Sequence, residues 1–356
     1  MIRKFSTLLA GISILAIAGC NTAPPASNET GSADNAAATA PVATEKTDTL
    51  VVYSGRSDKL VDPLIKKFEK EKGIKVTVKY GSTPEIAATI LEEGEKSPAD
   101  VFFAQDPGGL GAIAKAGLLA PLSDETLEKV QPQFRADDKQ WVGVAGRTRV
   151  VAYNTDKIKP ESLPADIADF TKPEWKGRIG WAPANASFHA MVTAMRIEWG
   201  EERTLNWVKG IHANKPVVYK RNGPAVEGVA NGEVDVAFVN NYYLYRYLKE
   251  HGEKFKARNH FLTGGGPGSM LMVAGAGHLK NGKNTANAQT FIDYLVSKDA
   301  QEYFTKETSE YPVVDGVAPP KGAPTLDKLN IAKINLSDLS DVEGTTKLLQ
   351  KAGVIE

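Results

Sequence analysis

Leu50-Val51-Val52-Tyr53 is a short β-rich run, followed by the turn Ser54-Gly55-Arg56 and by a helical pattern that ends near Gly73. Ile74 to Tyr80 alternates as a second strand, and Asp100 to Ala104 predicts a third. Between these two strands, Ser82-Thr83-Pro84-Glu85 has the spacing of a capping box with proline in the first helical turn. The β-α-β-α-β order predicts a parallel, doubly wound sheet flanked by helices.

The same alternation recurs further along the chain, so that the body reads as two α/β lobes. The second set of predicted elements consists of strands over Arg178–Trp181, Val234–Val239 and Met270–Ala274 and helices over Ser187–Trp199, Tyr242–Glu250, Thr285–Lys298 and Lys298–Lys306. Asn240-Asn241 is predicted to cap the helix that begins at Tyr242.

Length and composition exclude several classes of protein. The chain has 356 residues, with 43 basic and 43 acidic side chains, which is unlike a strongly basic nucleic-acid-binding protein. Its single cysteine excludes a disulfide framework, a cysteine-based zinc site and an iron–sulfur cluster. The length is sufficient for two domains or one large split domain.

The first 47 residues have the pattern of a signal peptide followed by a disordered tether. Arg3 and Lys4 precede an apolar stretch too short to span a membrane, which ends in Ile17-Ala18-Gly19-Cys20. This ending resembles a bacterial lipobox, so we expect a signal peptide over 1–19 and lipid modification of Cys20; an ordinary signal peptide is the alternative. Residues 20–47 lack the apolar residues of a core and predict a disordered tether.

Four segments follow predicted strands and therefore lie at the edge where open α/β sheets bind ligands. They are Ser54-Gly55-Arg56, Gln105-Asp106, Asn185-Ala186-Ser187 and Asn240-Asn241-Tyr242-Tyr243. If the two lobes face each other, these edges line one cleft. That arrangement is typical of a binding protein.

Motifs of the common enzyme classes are absent from the sequence. There is no Gly-x-Ser-x-Gly elbow, no His-Glu-x-x-His and no Walker lysine after a glycine loop. The five histidines are scattered without ligand spacing. We therefore expect a protein that is not an enzyme, although a triad assembled from distant residues stays an alternative.

The run from Asn240 to Tyr247 contains four of the eleven tyrosines of the chain. One interpretation is an amphipathic helix that uses tyrosine as a core residue. The other is that Tyr242 and Tyr243 project from a helix N-terminus, where the helix dipole stabilises negative charge. A phenolate needs a strong Lewis acid to form at neutral pH, because its free pKa is about 10. Fe(III) is such an ion.

Several segments together resemble the periplasmic ferric-iron-binding proteins, which are receptors of iron ABC importers with a two-lobed type II periplasmic binding fold related to transferrin. The segments are Val52 to Arg56, Ser97 to Phe102, Gly117 to Pro121, Gly146 to Tyr153, Trp175 to Gly180, Gly232 to Asp235, Asn240 to Tyr243 and Glu310 to Val313. The resemblance runs from about Thr49 to the C-terminus. It implies two lobes, each a doubly wound mixed sheet flanked by helices, with the ligand cleft between them.

The resemblance also implies a ligand set, with departures. Where relatives place a histidine and a glutamate ligand, this chain has Ser57 and Gln105. Other members use a third tyrosine, and Tyr153 matches its position. The implied metal ligands are Tyr153, Tyr242 and Tyr243. A synergistic carbonate or phosphate is implied as well, held by residues from the set Ser54, Gly55, Arg56, Arg147, Asn185, Ala186, Ser187 and Asn222.

The expected function is that of an extracytoplasmic, lipid-anchored and monomeric receptor that delivers Fe(III) to the permease of an ABC importer. The expected lobes are residues 48–149 plus 273–322 and residues 150–272 plus 323–356, hinged near 149–152 and 270–274. The alternatives are a receptor for another small anion or a polyamine on the same fold, an extracytoplasmic hydrolase, and a lipoprotein sensor.

Overall fold

The structure is a computed structural model that describes residues 49–356. The signal peptide, the tether and the lipidation at Cys20, predicted over residues 1–47, lie outside the described residues. The strands are β1 Thr49–Ser54, β2 Lys75–Tyr80, β3 Val101–Ala104, β4 Val142–Asn154, β5 Ile179–Trp181, β6 Val217–Val218, β7 Val236–Asn240, β8 Ala257–His260 and β9 Leu271–His278. The α-helices are α1 Asp58–Lys72, α2 Thr83–Glu93, α3 Pro107–Lys115, α4 Asp124–Lys129, α5 Ala186–Trp199, α6 Glu201–Ala213, α7 Asn222–Ala230, α8 Tyr242–His251, α9 Thr285–Leu295, α10 Lys298–Glu307 and α11 Val342–Lys351.

The first helices form where local signals place them. Helix α1 ends at Gly73, whose φ of 69° lies in the left-handed region that glycine enters without steric cost. Helix α2 begins with the predicted capping box, because the Ser82 hydroxyl accepts from the Glu85 amide while the Glu85 carboxylate accepts from the Ser82 amide. Both helices bury their apolar faces against the sheet.

The sheet has the strand order β2-β1-β3-β9-β4-β7-β5-β6, with β8 also paired to β4. Strand β1 lies parallel to β2 and β3, and β5 lies parallel to β6 and β7, so each end of the order is a parallel α/β unit. Strand β9 is antiparallel to both β3 and β4, and β7 is antiparallel to β4. The result is a mixed sheet flanked by helices, which confirms the predicted α/β class.

Strand β4 joins the two parallel units. It pairs with β9 through Val142–Thr148 and with β7 through Arg149–Tyr153. All thirteen of its residues are buried. Within residues 49–356, no helix is both long and apolar enough to cross a membrane.

Sequence patterns missed some elements and misjudged some ends. Helices α6, α7 and α11 were not predicted, strand β4 was expected only as a hinge near 149–152, and β9 runs on to His278 rather than ending at Ala274. Strands β4 and β9 are buried throughout, so neither shows the apolar–polar alternation of a half-buried strand.

Candidate metal and anion site

A cavity of about 380 Å³ lies where the end of β3 meets the N-termini of α5, α7 and α8. Seven of the predicted site residues line it, namely Arg147, Asn185, Ala186, Ser187, Asn222, Tyr242 and Tyr243. Gln105, Asp106, His189 and Asn240 also contribute to its wall. Three helix N-termini with free amides make the cavity favourable to negative charge.

Tyr242 and Tyr243 occupy the first turn of α8 and stack on each other, with ring centroids 4.3 Å apart and planes inclined by 27°. The guanidinium of Arg246, one turn later, lies 4.8 Å from the centroid of the Tyr242 ring. Burial raises the pKa of the Tyr242 phenol above its ordinary value, and the neighbouring Tyr243 raises it further. Without a bound cation, the buried phenol therefore stays protonated at neutral pH.

A polar network forms one wall of the cavity. The Asn185 side chain caps α5, because its Oδ1 accepts from the Ser187 amide at 3.1 Å and from the Ser187 hydroxyl at 2.6 Å. The Asn222 Nδ2 atom, at the start of α7, donates to Asn185 Oδ1 at 3.2 Å and to Ser187 Oγ at 3.1 Å. The network fixes two helix N-termini side by side.

The predicted cap of α8 is wrong in its detail. The Asn241 side chain makes no capping hydrogen bond; its Oδ1 accepts instead from the Thr148 amide of β4 at 3.0 Å. The Asn240 side chain also turns to β4, where its Oδ1 accepts from Arg149 Nη1 at 3.0 Å. These two asparagines attach the tyrosine-bearing helix to β4 rather than satisfying its free amides.

Arg147 is the cation that lines the cavity. It is buried, and its Nη2 donates to the main-chain oxygen of Gln105. Its Nη1 lies 3.9 Å from Glu310 Oε1 and has no hydrogen-bond partner among the described residues. Burial raises the pKa of the nearby Asp106 carboxyl, and the Arg147 charge opposes that rise. Arg147 can therefore hold an anion with its free donor.

Ser54, Gly55 and Arg56 do not line the cavity, which departs from the expectation. The Arg56 guanidinium is fully buried and forms an ion pair with Glu310. Its Nη2 lies 2.5 Å from Oε2, and its Nη1 donates to Oε1 at 3.3 Å. The Ser54 hydroxyl bonds to the main chain of Arg56. A Cβ on Gly55 would lie 2.3 Å from Thr83 Oγ1, so this glycine is required by packing. The three residues build the wall behind the site.

Tyr153 does not line this cavity either. It lies at the end of β4 and faces a larger cavity of about 1090 Å³, together with Tyr245 and Arg258. Burial raises the pKa of its phenol. The structure therefore does not bring Tyr153 into one site with Tyr242 and Tyr243. Ser57, which stands where relatives place a histidine ligand, is exposed and does not line the cavity.

Arg149 and Glu310 are charged groups beside the site that sequence reasoning did not assign, whereas Asp106 was predicted only as part of a ligand-binding edge of the sheet. Glu310 is buried and accepts from the Thr308 hydroxyl at 2.7 Å as well as from Arg56. Burial is the largest single influence on the pKa of Glu310 and would raise it, but the charge and hydrogen bond of Arg56, the charge of Arg147 and the Thr308 hydroxyl together hold it below the ordinary value. The position of Asp106 after a strand and before Pro107 was a usable signal, whereas Glu310 and Arg56 are 254 residues apart.

The donor set of the cavity is distinctive. Among residues 49–356, no group of three His, Cys, Asp or Glu side chains is placed to hold a metal ion. The cavity instead offers two adjacent phenols, buried arginine and helix N-termini. Phenolate oxygen is a hard anionic donor, so this set suits a hard, highly charged cation accompanied by an anion.

The sequence was compared with known proteins. Residues 63–329 match the model of the family described as bacterial extracellular solute-binding protein. The chain is 33% identical over 309 residues to the major ferric iron-binding protein of Neisseria meningitidis. This alignment covers 86% of this chain and 93% of the relative. It is also 33% identical to the Fe(3+)-binding periplasmic protein of Serratia marcescens, over 86% of this chain and 90% of that protein.

Solved structures agree with the sequence matches. The crystal structure of iron-bound HitA from Pseudomonas aeruginosa superposes with a TM-score of 0.79 at 34% identity, covering 86% of this chain and 99% of HitA. The apo ferric ion-binding protein A of Pasteurella haemolytica gives 0.78 at 29% identity, over 87% and 99% of the two chains. These neighbours confirm the predicted two-lobed fold. The chain belongs to the family of bacterial extracellular solute-binding proteins, which are binding proteins rather than enzymes.

Proposed function

We propose that this protein is a ferric iron receptor whose cavity binds Fe(III) through the phenolates of Tyr242 and Tyr243. The single observation that carries the proposal is the stacked pair of phenols at the N-terminus of α8, in a cavity that lacks a carboxylate cluster. Fe(III) is acidic enough to replace the phenolic protons, whereas Ca²⁺ and Mg²⁺ sites rely on carboxylate and carbonyl oxygens. Tyr153 is left out of this ligand pair because it faces the other cavity.

The charges of the cavity support a synergistic anion. Two phenolates leave Fe(III) with one net positive charge, and the buried guanidinium groups of Arg147 and Arg149 add to it. A carbonate or phosphate would reduce this excess and fill coordination positions that the two tyrosines leave open. The free Nη1 of Arg147 and the N-termini of α5 and α7, with Asn185, Ala186, Ser187 and Asn222, suit such an anion.

The relatives support the same ligand. The Neisseria and Serratia proteins are named for ferric iron, and the HitA structure contains iron. These matches cover 86% of this chain. The names of these relatives describe what the relatives bind. For this protein, the pair Tyr242 and Tyr243 is the local feature from which we infer the same ligand.

Delivery and location complete the proposal. We infer that the protein is monomeric and docks on the permease of an ABC importer, held at the membrane by lipid on Cys20 after removal of residues 1–19. Lobes of residues 48–149 plus 273–322 and residues 150–272 plus 323–356 would close on iron about β4 and β9. Support comes from the side-by-side pairing of these strands, where the Arg149 amide donates to the Met270 oxygen at 3.0 Å.

Iron titration of three variants tests the ligand pair. We expect Tyr242→Phe and Tyr243→Phe each to lose the visible phenolate-to-Fe(III) charge-transfer band and several orders of magnitude in affinity, because each removes a bond and a charge while keeping the ring. Tyr245→Phe is the matched control, since it lies on the same helix but lines the larger cavity.

Wild-type colour and affinity in both Tyr242→Phe and Tyr243→Phe would contradict the ferric proposal. The alternative would then be a receptor for a small anion, which Arg147 and the Asn185 network favour over a polyamine. Phosphate calorimetry in the absence of iron would identify that receptor.

A further inference from the structure

Arg149 is a buried cation next to the proposed metal site, and its side chain is incompletely bonded. It is 2% exposed, and its Nη1 donates to Asn240 Oδ1 at 3.0 Å and to Ser187 Oγ at 3.2 Å. Its Nε and Nη2 are buried without a hydrogen-bond partner within residues 49–356. Buried donors in this state are uncommon, because each loses its hydration without replacement.

The other buried arginines of this region also have a nitrogen without a hydrogen-bond partner, Arg56 Nε and Arg147 Nη1, but each of them lies close to an acidic side chain. Arg56 forms a fork with Glu310, and Arg147 lies 3.9 Å from the same carboxylate. Arg149 has no ion pair with an acidic side chain among the described residues. A buried charge without a counter-ion is expensive, so its presence behind the wall of a binding cavity requires an explanation.

The groups that surround the Arg149 side chain explain why a buried positive charge lies here. Both of its hydrogen-bond acceptors belong to the cavity wall: Ser187 is in the first turn of α5, and Asn240 lies two residues before Tyr242. The phenols of Tyr242 and Tyr243 are close enough to act electrostatically on its guanidinium. Burial lowers the pKa of Arg149 to about 10, and the phenols of Tyr243 and Tyr242 act in the opposite direction.

We propose that Arg149 is a positioning residue of the metal site whose fixed positive charge is balanced only when anionic ligands gather around iron in the cavity. The inference rests on the proposed ferric function. In the metal-free protein the unpaired charge of Arg149 destabilises the fold. In the iron-loaded protein the same charge attracts the phenolate oxygens and the accompanying anion. Arg149 contacts the wall of the cavity and not the iron.

Two variants separate charge from structure. Arg149→Met removes the charge and the donors, while Arg149→Lys keeps the charge. Arg178→Met is the matched control, because Arg178 pairs with Asp235 at 2.6 Å outside the cavity. Each purified full-length protein is titrated with Fe(III) against citrate as competing chelator. The visible band and the melting temperature with and without iron are recorded.

We expect Arg149→Met to bind Fe(III) about 100-fold more weakly and with a shifted charge-transfer band, because interactions with charged groups are the strong ones. Its metal-free melting temperature should be unchanged or higher, since an uncompensated buried charge has been removed. Arg149→Lys should stay within about tenfold of wild-type affinity, and Arg178→Met should leave the affinity and the band unchanged.

Wild-type affinity and an unshifted band in Arg149→Met would overturn the proposal. If Arg149→Met does not fold, Arg149→Lys decides: near-wild-type iron binding supports a role of the charge. A lysine variant with lowered metal-free stability and lost iron binding shows a purely structural arginine and overturns it. If the wild-type protein shows neither the charge-transfer band nor a higher melting temperature with iron, the proposed ferric function is contradicted. This outcome differs from those that overturn only the role of Arg149.

Discussion

The tyrosines near the two cavities of this protein lie in two different environments. Tyr242 and Tyr243 stack at a helix N-terminus beside buried arginine, where negative charge is favoured. Tyr153 and Tyr245 face the larger cavity, and burial raises the pKa of Tyr245 to about 12. Neighbouring groups, and not the phenol itself, therefore distinguish a proposed ligand from an ordinary buried tyrosine.

Tyr153→Phe is predicted to keep both the visible band and the iron affinity of the wild-type protein. The change removes only a hydroxyl in the cavity that the proposed ligands do not line. Spectral titration with Fe(III) measures both quantities. A loss as large as that of Tyr242→Phe would return Tyr153 to the ligand set.

Glu310→Gln is predicted to lower the free energy of unfolding at pH 7 by about 3–5 kcal/mol, because it leaves the buried Arg56 charge without its partner. The folded-state pKa of Glu310 lies below the ordinary value of 4.5. Its contribution is therefore complete above about pH 4.5 and is lost as the pH falls through the folded-state pKa. The variant should show less loss of stability with acid than the wild type.

Denaturant unfolding at pH 7 and pH 3 measures this difference. Glu302→Gln is the control, since its carboxylate pairs with Lys306 on the surface of α10. We expect little change in that variant. Equal acid sensitivity of the wild type and Glu310→Gln would show that the Arg56 pair does not contribute.

At the scale of elements, the N-terminus of α5 connects fold and function. Asn185→Ala is predicted to cost about 1 kcal/mol of stability through the lost cap. It should also weaken the dependence of iron affinity on added phosphate or carbonate, because Asn185 orients Ser187 and Asn222. Ser297→Ala removes the comparable cap of α10, away from the cavity, and should leave iron binding unchanged. Equal anion dependence in both variants would argue against an anion at α5.

Local signals explain how much of the fold could be predicted from sequence. The Ser82 capping box, Gly73 and the helix at Tyr242 depend on neighbouring residues, and each lies where it was predicted. The turn at Asn241 was misjudged because its side chain bonds across the sheet to Thr148. A short-range cap and a long-range bond compete for the same oxygen, and only tertiary structure decides between them.

Some residues of the candidate site could likewise be predicted from the sequence, whereas others depend on long-range contacts. Their positions directly after predicted strands, together with the family resemblance, selected Tyr242, Tyr243 and the Asn185–Ser187 turn, and these residues line one cavity. The pairing of Arg56 with Glu310 joins residues 254 positions apart, so Arg56 could not be recognised as a wall residue. Tyr153 was selected by its resemblance to a third tyrosine of other family members, and such a match does not show which cavity the side chain faces; here it lines the larger one.

At the scale of the whole molecule, Cys20→Ala is predicted to release the protein from the membrane without changing its iron affinity. Residues 49–356 contain every residue of the proposed site, so the affinity should not depend on the anchor. Cell fractionation followed by iron titration tests both parts. Processed Cys20→Ala protein that stays firmly bound to membranes would exclude lipidation at this cysteine.

The central claim is that two adjacent tyrosinates hold ferric iron, and resonance Raman spectroscopy of the iron-loaded protein tests it most directly. Excitation within the visible band enhances vibrations of phenolates bound to the metal. We predict enhanced tyrosinate modes in the wild type and in Tyr153→Phe, and their loss in the double variant Tyr242→Phe/Tyr243→Phe. An iron-loaded wild-type protein without tyrosinate modes, or a double variant that retains them, would contradict the account.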